Sequence, residues 1–189
     1  MEYKKIPFAA GIQVLNRFNA SDEAKALIND EMSVTNSIQT LSEHELNFDL
    51  IQFLAHALPV RECIWWASLC LHKRHDDWNA SQLQCISLAK QWVQAPSEEL
   101  RRKAELFATR LQLNCGPSWL AQAVFWNGAG SIVTPDLPVV LPDPNLYAKA
   151  AAGAVNHAAA LPVWDNSALY YQYALDTALK IAQGYNPEE

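Results

Sequence analysis

Residues 98–111 read EELRRKAELFATRL, and this stretch decides the fold class. Leu100, Ala104, Phe107 and Leu111 recur at i, i+4, i+7 and i+11, which lays one apolar stripe along an α-helix. Glu98 with Arg102 and Glu99 with Lys103 stand four residues apart with the acid first, the favourable order for ion pairs on a helix surface. Acidic residues at the start and Arg110 at the end also complement the helix macrodipole.

The same period continues toward the N-terminus. Leu83, Ile86, Ala89 and Val93, flanked by Cys85, Leu88 and Trp92, form a broad stripe that stops before Pro96. In residues 60–73, Cys63, Trp66, Ala67 and Cys70 share one face, while Trp65 projects about 100° away and pairs with Leu69. That helix is apolar on two sides and belongs near the centre of a bundle. Ser42 with Glu45 reads as a capping box opening a helix that buries Leu46, Leu50, Phe53 and Ala57 and ends at Pro59. Residues 1–41 are a less defined segment with short helices near 11–18 and 22–29. Residues 32–40, rich in Ser, Thr and Asn, are expected to be irregular or a weak edge strand.

Toward the C-terminus, Gly116-Pro117-Ser118 resets the chain, and residues 119–126 form a short helix apolar on every side, expected to be buried. Residues 134–145 hold four prolines in twelve positions and read as an extended strap over the surface. The alanine-rich run 147–160 has Gly153 at its middle, where close helix approach is expected. A last helix over 167–182 buries Ala168, Tyr171, Leu175, Ala178 and Leu179 and stops at Gly184. The sum is an all-α fold, a single irregular helical bundle of about seven to eight helices with a proline-rich extended strap. Its helical domain runs over 42–184 and a tail over 185–189.

Composition narrows the function classes. The net charge is −6, with 20 acidic against 14 basic residues, and the one dense basic cluster, Arg101-Arg102-Lys103, is interleaved with Glu98, Glu99 and Glu105. That pattern excludes a nucleic-acid partner. The N-terminal residues lack a signal-peptide pattern, the four cysteines show no close pair, and no apolar run reaches bilayer-spanning length, so a cytoplasmic chain with reduced thiols and no membrane insertion is expected. Residues 111–164 carry only Asp136, Asp143 and Lys149 as charges in 54 positions. A tract so neutral either lies inside the fold or forms a contact surface. Trp78 and Trp164 fall in turns and are candidate partner anchors, as are Pro135 and Pro138 of a formal PxxP match.

Candidate chemistry is sparse. Cys70, His72, His75, Asp76 and Asp77 cluster in sequence, but their spacing fits no structural zinc pattern, and Lys73 and Arg74 oppose a cation; a helix C-terminus followed by a turn accounts for all of them. Glu43, His44 and Glu45, with His56 nearby, are ordinary helix-end residues beside a lone histidine near an apolar face, as is His157. Cys115-Gly-Pro-Ser118 lacks the flanking pattern of a hydrolase nucleophile, and the loop Gly128-Ala-Gly130-Ser131 follows a helix and lacks the lysine of a phosphate loop. No catalytic, metal or cofactor motif is legible.

The segments QWVQAPSEELR (91–101) and WLAQAVFWNGAGS (119–131), the proline strap, the alanine-rich helix and the closing Ile181-Ala-Gln-Gly184 resemble an uncharacterised family of small bacterial proteins, found in part beside type VI secretion genes. The resemblance covers residues 49–184 and leaves the first forty outside. It implies an all-helical cytoplasmic protein that assists or regulates a secretion apparatus, and it brings no catalytic residue. The expected function is therefore non-enzymatic protein interaction, as an accessory, adaptor or chaperone-like protein with a protein partner, and self-association through a neutral face is compatible with it. The alternatives are an immunity protein that blocks a toxin's active site through its acidic surface, and an enzyme whose polar groups meet only in three dimensions.

Overall fold

The structure, a computed structural model, describes residues 3–134 and 136–187. Among these residues there are ten α-helices, no strand, and an isolated antiparallel bridge between Ala10 and Ser33. The helices are α1 (Gly11–Leu15), α2 (Asp22–Leu27), α3 (Val34–Glu43), α4 (Asn47–Ala57), α5 (Val60–His72), α6 (Ala80–Gln94), α7 (Glu98–Arg110), α8 (Gly116–Phe125), α9 (Leu146–Ala159) and α10 (Ser167–Gln183). The all-α bundle expected from the periodicity is what forms, with more helices than expected because the N-terminal region contributes three. Among the described residues no helix is long and apolar enough to cross a membrane.

Two features of the N-terminal third depart from the sequence reading. Most of residues 32–40, expected to be irregular or a weak edge strand, lie in a helix that runs over Val34–Glu43. Ser33 accepts a hydrogen bond from the Asn36 N–H as the N-cap, and Ser37 donates its hydroxyl back to the Ser33 carbonyl, so the polar side chains serve the helix while Val34, Ile38 and Leu41 are buried. That helix runs through Ser42, which therefore caps nothing. Glu45 turns the chain with φ of 55°, and α4 begins only at Asn47. The boundary expected at residue 41 thus falls inside α3. Ile6, Val14, Leu15 and Ile28 join the same continuous core as the later helices.

The core is centred on α5, α8 and α9. Trp66 is fully buried and its indole N–H donates to the Ala174 carbonyl at 2.8 Å, tying α5 to α10. Burying such an aromatic group contributes on the order of 2–3 kcal/mol, and its polar handle is satisfied. Every residue of α8 except Trp119 is buried, as its all-round apolarity requires. It packs most extensively on α9, whose alanines at 148, 150, 151, 152, 154, 158 and 159 are buried. The close approach is made at Gly116, where an added Cβ would lie 2.9 Å from the Ala154 carbonyl oxygen. It is not made at Gly153, expected for that role, where a Cβ would meet nothing within 4 Å. In α10 the buried face is Tyr170, Tyr171, Ala174, Leu175, Ala178 and Ile181; Ala168, in the first turn, is exposed.

Candidate functional site

The charge-poor tract divides. Its helical parts are sealed in the core, and the segment between them emerges. Leu137, Val139, Val140 and Leu141 are exposed by 53%, 76%, 46% and 59%, a run of large apolar side chains facing solvent. The strap is not loose. The Ile132 N–H donates to the Val140 carbonyl at 2.8 Å, the Val140 N–H donates to Ser131 Oγ at 3.1 Å, and the Leu137 N–H closes a turn on the Thr134 carbonyl at 3.0 Å. Pro142 is buried and anchors the exit into α9.

The base of this loop is gripped from α7. Arg101, only 1% exposed, donates from Nη1 to the Phe125 carbonyl at 3.0 Å and from Nη2 to the Ser131 carbonyl at 2.9 Å, while Nε and Nη2 hold both Glu98 oxygens. Arg102 donates to the Ser131 and Val133 carbonyls, each at 2.9 Å, and pairs with Glu98 and Glu105 at 3.1 Å. Both guanidinium groups lie over the Phe125 ring, at 4.9 and 5.6 Å from its centroid. The hydrogen bond from Arg101, with the neighbouring cation of Arg102, holds the Glu98 carboxyl below the usual carboxylate range. Gly130 leaves the guanidinium its place, since an added Cβ would lie 2.8 Å from Arg101 Nη2. The planar fork of arginine matches the three-carbonyl base of the loop, which a lysine point charge would not.

This clamp escaped the sequence reading, which took Arg101 as part of a solvated cluster. The buried face of α7 is Arg101, Ala104 and Ala108, with Leu100 half-buried beside it. The two alanines four apart, with an arginine three before the first, were the available signal: small residues let the helix approach closely enough to enclose the guanidinium. Glu98 and Arg102 do pair as expected, and Lys103 lies over the Phe107 ring at 5.9 Å.

Of the tryptophans expected as partner anchors, Trp164 is 60% exposed at the turn between α9 and α10, edge-on to Tyr171 at 6.4 Å. Trp78 is not a surface anchor. It is 7% exposed, and its indole N–H donates to the Leu71 carbonyl at 2.8 Å, capping the end of α5 from the following turn. Pro138 is exposed on the strap, and Pro135 lies outside the described residues.

The histidines are spread over the end of α3 (His44), α4 (His56), the end of α5 and the turn after it (His72 and His75), and α9 (His157). His44 is exposed at the end of α3, with Nδ1 2.9 Å from the Thr40 carbonyl. His56 is buried, with Nδ1 2.7 Å from the Gln52 carbonyl and its ring stacked on Phe18 at 5.1 Å; burial pushes its pKa down to about 4. His72 and His75 have ring centroids 5.8 Å apart, and His75 pairs with Asp76 on the surface, whereas Cys70 faces the core. Among the described residues no group of three or more His, Cys, Asp or Glu side chains could hold a metal ion. Cys63, Cys70 and Cys85 are buried, and burial pushes their thiols up, Cys85 to about 12. Ser118 donates to the Cys115 carbonyl at 2.7 Å and accepts from the Cys115 N–H at 3.3 Å, an N-terminal cap for α8 and not a poised nucleophile.

No curated protein and no solved structure matches the chain. A sequence profile matches over residues 37–182, and the chain accordingly belongs to DUF6931, a family of unknown function.

Proposed function

We propose that this is a non-enzymatic interaction protein, an adaptor or chaperone-like subunit that offers residues 132–141 as a pre-formed loop to an apolar groove on a protein partner. One observation carries the reading: four large apolar side chains stand exposed on a segment whose base is fixed by two arginines. A contiguous exposed apolar run marks a surface that gains by being covered, and a loop tied down at its base loses little conformational entropy on docking. Its prolines suit insertion into a groove lined by aromatic residues. The connection to type VI secretion comes from the family resemblance alone.

The test is affinity capture from native lysate with the full chain and with a Leu137→Ser/Val139→Ser/Leu141→Ser variant, matched for helical content. The reading expects proteins enriched by the wild type and lost with the variant. Identical captured sets, or nothing above background for either chain under secretion-inducing conditions, would refute it.

A further inference from the structure

A second surface feature, independent of the strap, lies on another part of the bundle. A cavity of ≈ 370 Å³ opens between Lys5, the first two turns of α5 and the end of α6. Its charged lining is Lys5, Arg61, Lys90 and Glu62, three cations against one carboxylate, on a chain whose net charge is −6. The cluster is built into the fold. Arg61 donates from Nε to the Val93 carbonyl at 2.6 Å and from Nη2 to the Gln94 carbonyl at 3.4 Å, so the guanidinium both caps the end of α6 and sits at the cavity wall. Lys5 is set by the hydrogen bond from its N–H to the Ala182 carbonyl at 2.9 Å, and its ammonium pairs with Glu62 at 3.2 Å.

The remaining wall is apolar. Trp65 is half-buried and lines the cavity, next to the fully buried Trp66, and Val93 is 8% exposed behind it. Its sequence position, on the second apolar side of α5, would suit a core residue; here part of the indole faces the cavity. Cations beside an aromatic wall are the two halves of a site for a planar anion, with a π-face for the ring and fixed positive charge for its acidic group. Glu62 sets the sign limit: with one carboxylate inside, the site suits a single anionic group better than a polyanion.

We propose that this cavity binds a small aromatic anion, its ring against Trp65 and Val93 and its carboxylate or phosphate among Lys5, Arg61 and Lys90. The two sources of that chemistry, aryl carboxylates and nucleoside monophosphates, are separated by the probes. Isothermal titration of the full chain would use indole-3-acetate, AMP, and acetate with inorganic phosphate as anions that lack a ring. One of the aromatic probes is expected to bind at least tenfold more tightly than either ringless anion, and more weakly as salt is raised. Trp65→Leu and Lys90→Gln are each expected to weaken that binding at least tenfold, and so is Lys5→Gln, a position outside the helices. Gln84→Ala, away from the cavity, leaves it unchanged. Aromatic probes that bind no better than acetate and phosphate overturn the proposal, and so does binding that survives both Lys90→Gln and Lys5→Gln in folded protein.

Discussion

Residues 116–125 and residues 131–141 come from one charge-poor tract and meet opposite fates. The first becomes α8, buried on nearly every side against α9 and α7. The second becomes a loop whose apolar side chains face water. Hydrophobicity does not separate them, since both are rich in large apolar residues. Backbone chemistry does. α8 has one proline, in its first turn, where a missing N–H is harmless, and otherwise supplies its own hydrogen bonds. In the strap, proline removes donors and forbids the helix, so its carbonyls look elsewhere and find two arginines.

That contrast makes the arginine clamp the most sensitive point of the exposed half. Replacing Arg101 by Met leaves the buried Phe125 carbonyl without its charged donor and the Ser131 carbonyl with Arg102 alone, and is expected to cost about 3 kcal/mol of stability in urea denaturation. A loss below about 1 kcal/mol would mean that the strap holds its shape without the clamp.

Acid probes the sealed half. His56 is kept neutral by burial, with a folded pKa of about 4, while its unfolded counterpart titrates near the ordinary value of 6.5. The unfolded chain therefore binds the extra proton between those values, so this group's stabilisation is complete above about pH 6.5 and is lost as pH falls toward 4. The expected slope is about 1.4 kcal/mol per pH unit at most, on the order of 3 kcal/mol over the whole window. His56→Leu should flatten the difference between denaturation curves at pH 7 and pH 4.5.

Two glycines sharpen the comparison further. Gly116→Ala forces a methyl against the Ala154 carbonyl and is expected to destabilise by about 2 kcal/mol. Gly153→Ala places the same methyl in open space within a helix and is expected to stabilise by about 1 kcal/mol. Thermal melts of the pair should therefore shift in opposite directions. The smallest effect belongs to the strap itself, where Leu137→Ser/Val139→Ser/Leu141→Ser removes no buried contact and should change stability by no more than about 0.5 kcal/mol in urea denaturation.

Much of this architecture was legible because α5, α6, α7, α8, α9 and α10 carry their own periodic apolar faces and their own stop signals. What escaped reading depends on contacts distant in sequence. α3 looks like a loop by composition, and only the burial of Val34, Ile38 and Leu41 against neighbouring helices makes Ser33 work as its cap and Ser37 as a back-bond. The Ser42–Glu45 pattern has the right spacing for a capping box, but extending α3 to Glu43 buries Leu41 fully and leaves no room for it. Trp78 sits in a turn, yet that turn folds back so that its indole reaches Leu71. The strap was visible through its prolines. Its clamp was not, because Arg101 meets carbonyls 24 and 30 residues away.

The most direct test of the divided tract is amide hydrogen exchange across residues 116–160 in the wild-type chain. The expected pattern is strong protection through α8 and α9, intermediate protection at Ile132, Leu137 and Val140, whose N–H groups are bonded, and fast exchange at Val139 and Leu141. Protection at Val139 and Leu141 as strong as in α8 would show the strap to be packed inside the fold, and would contradict the account.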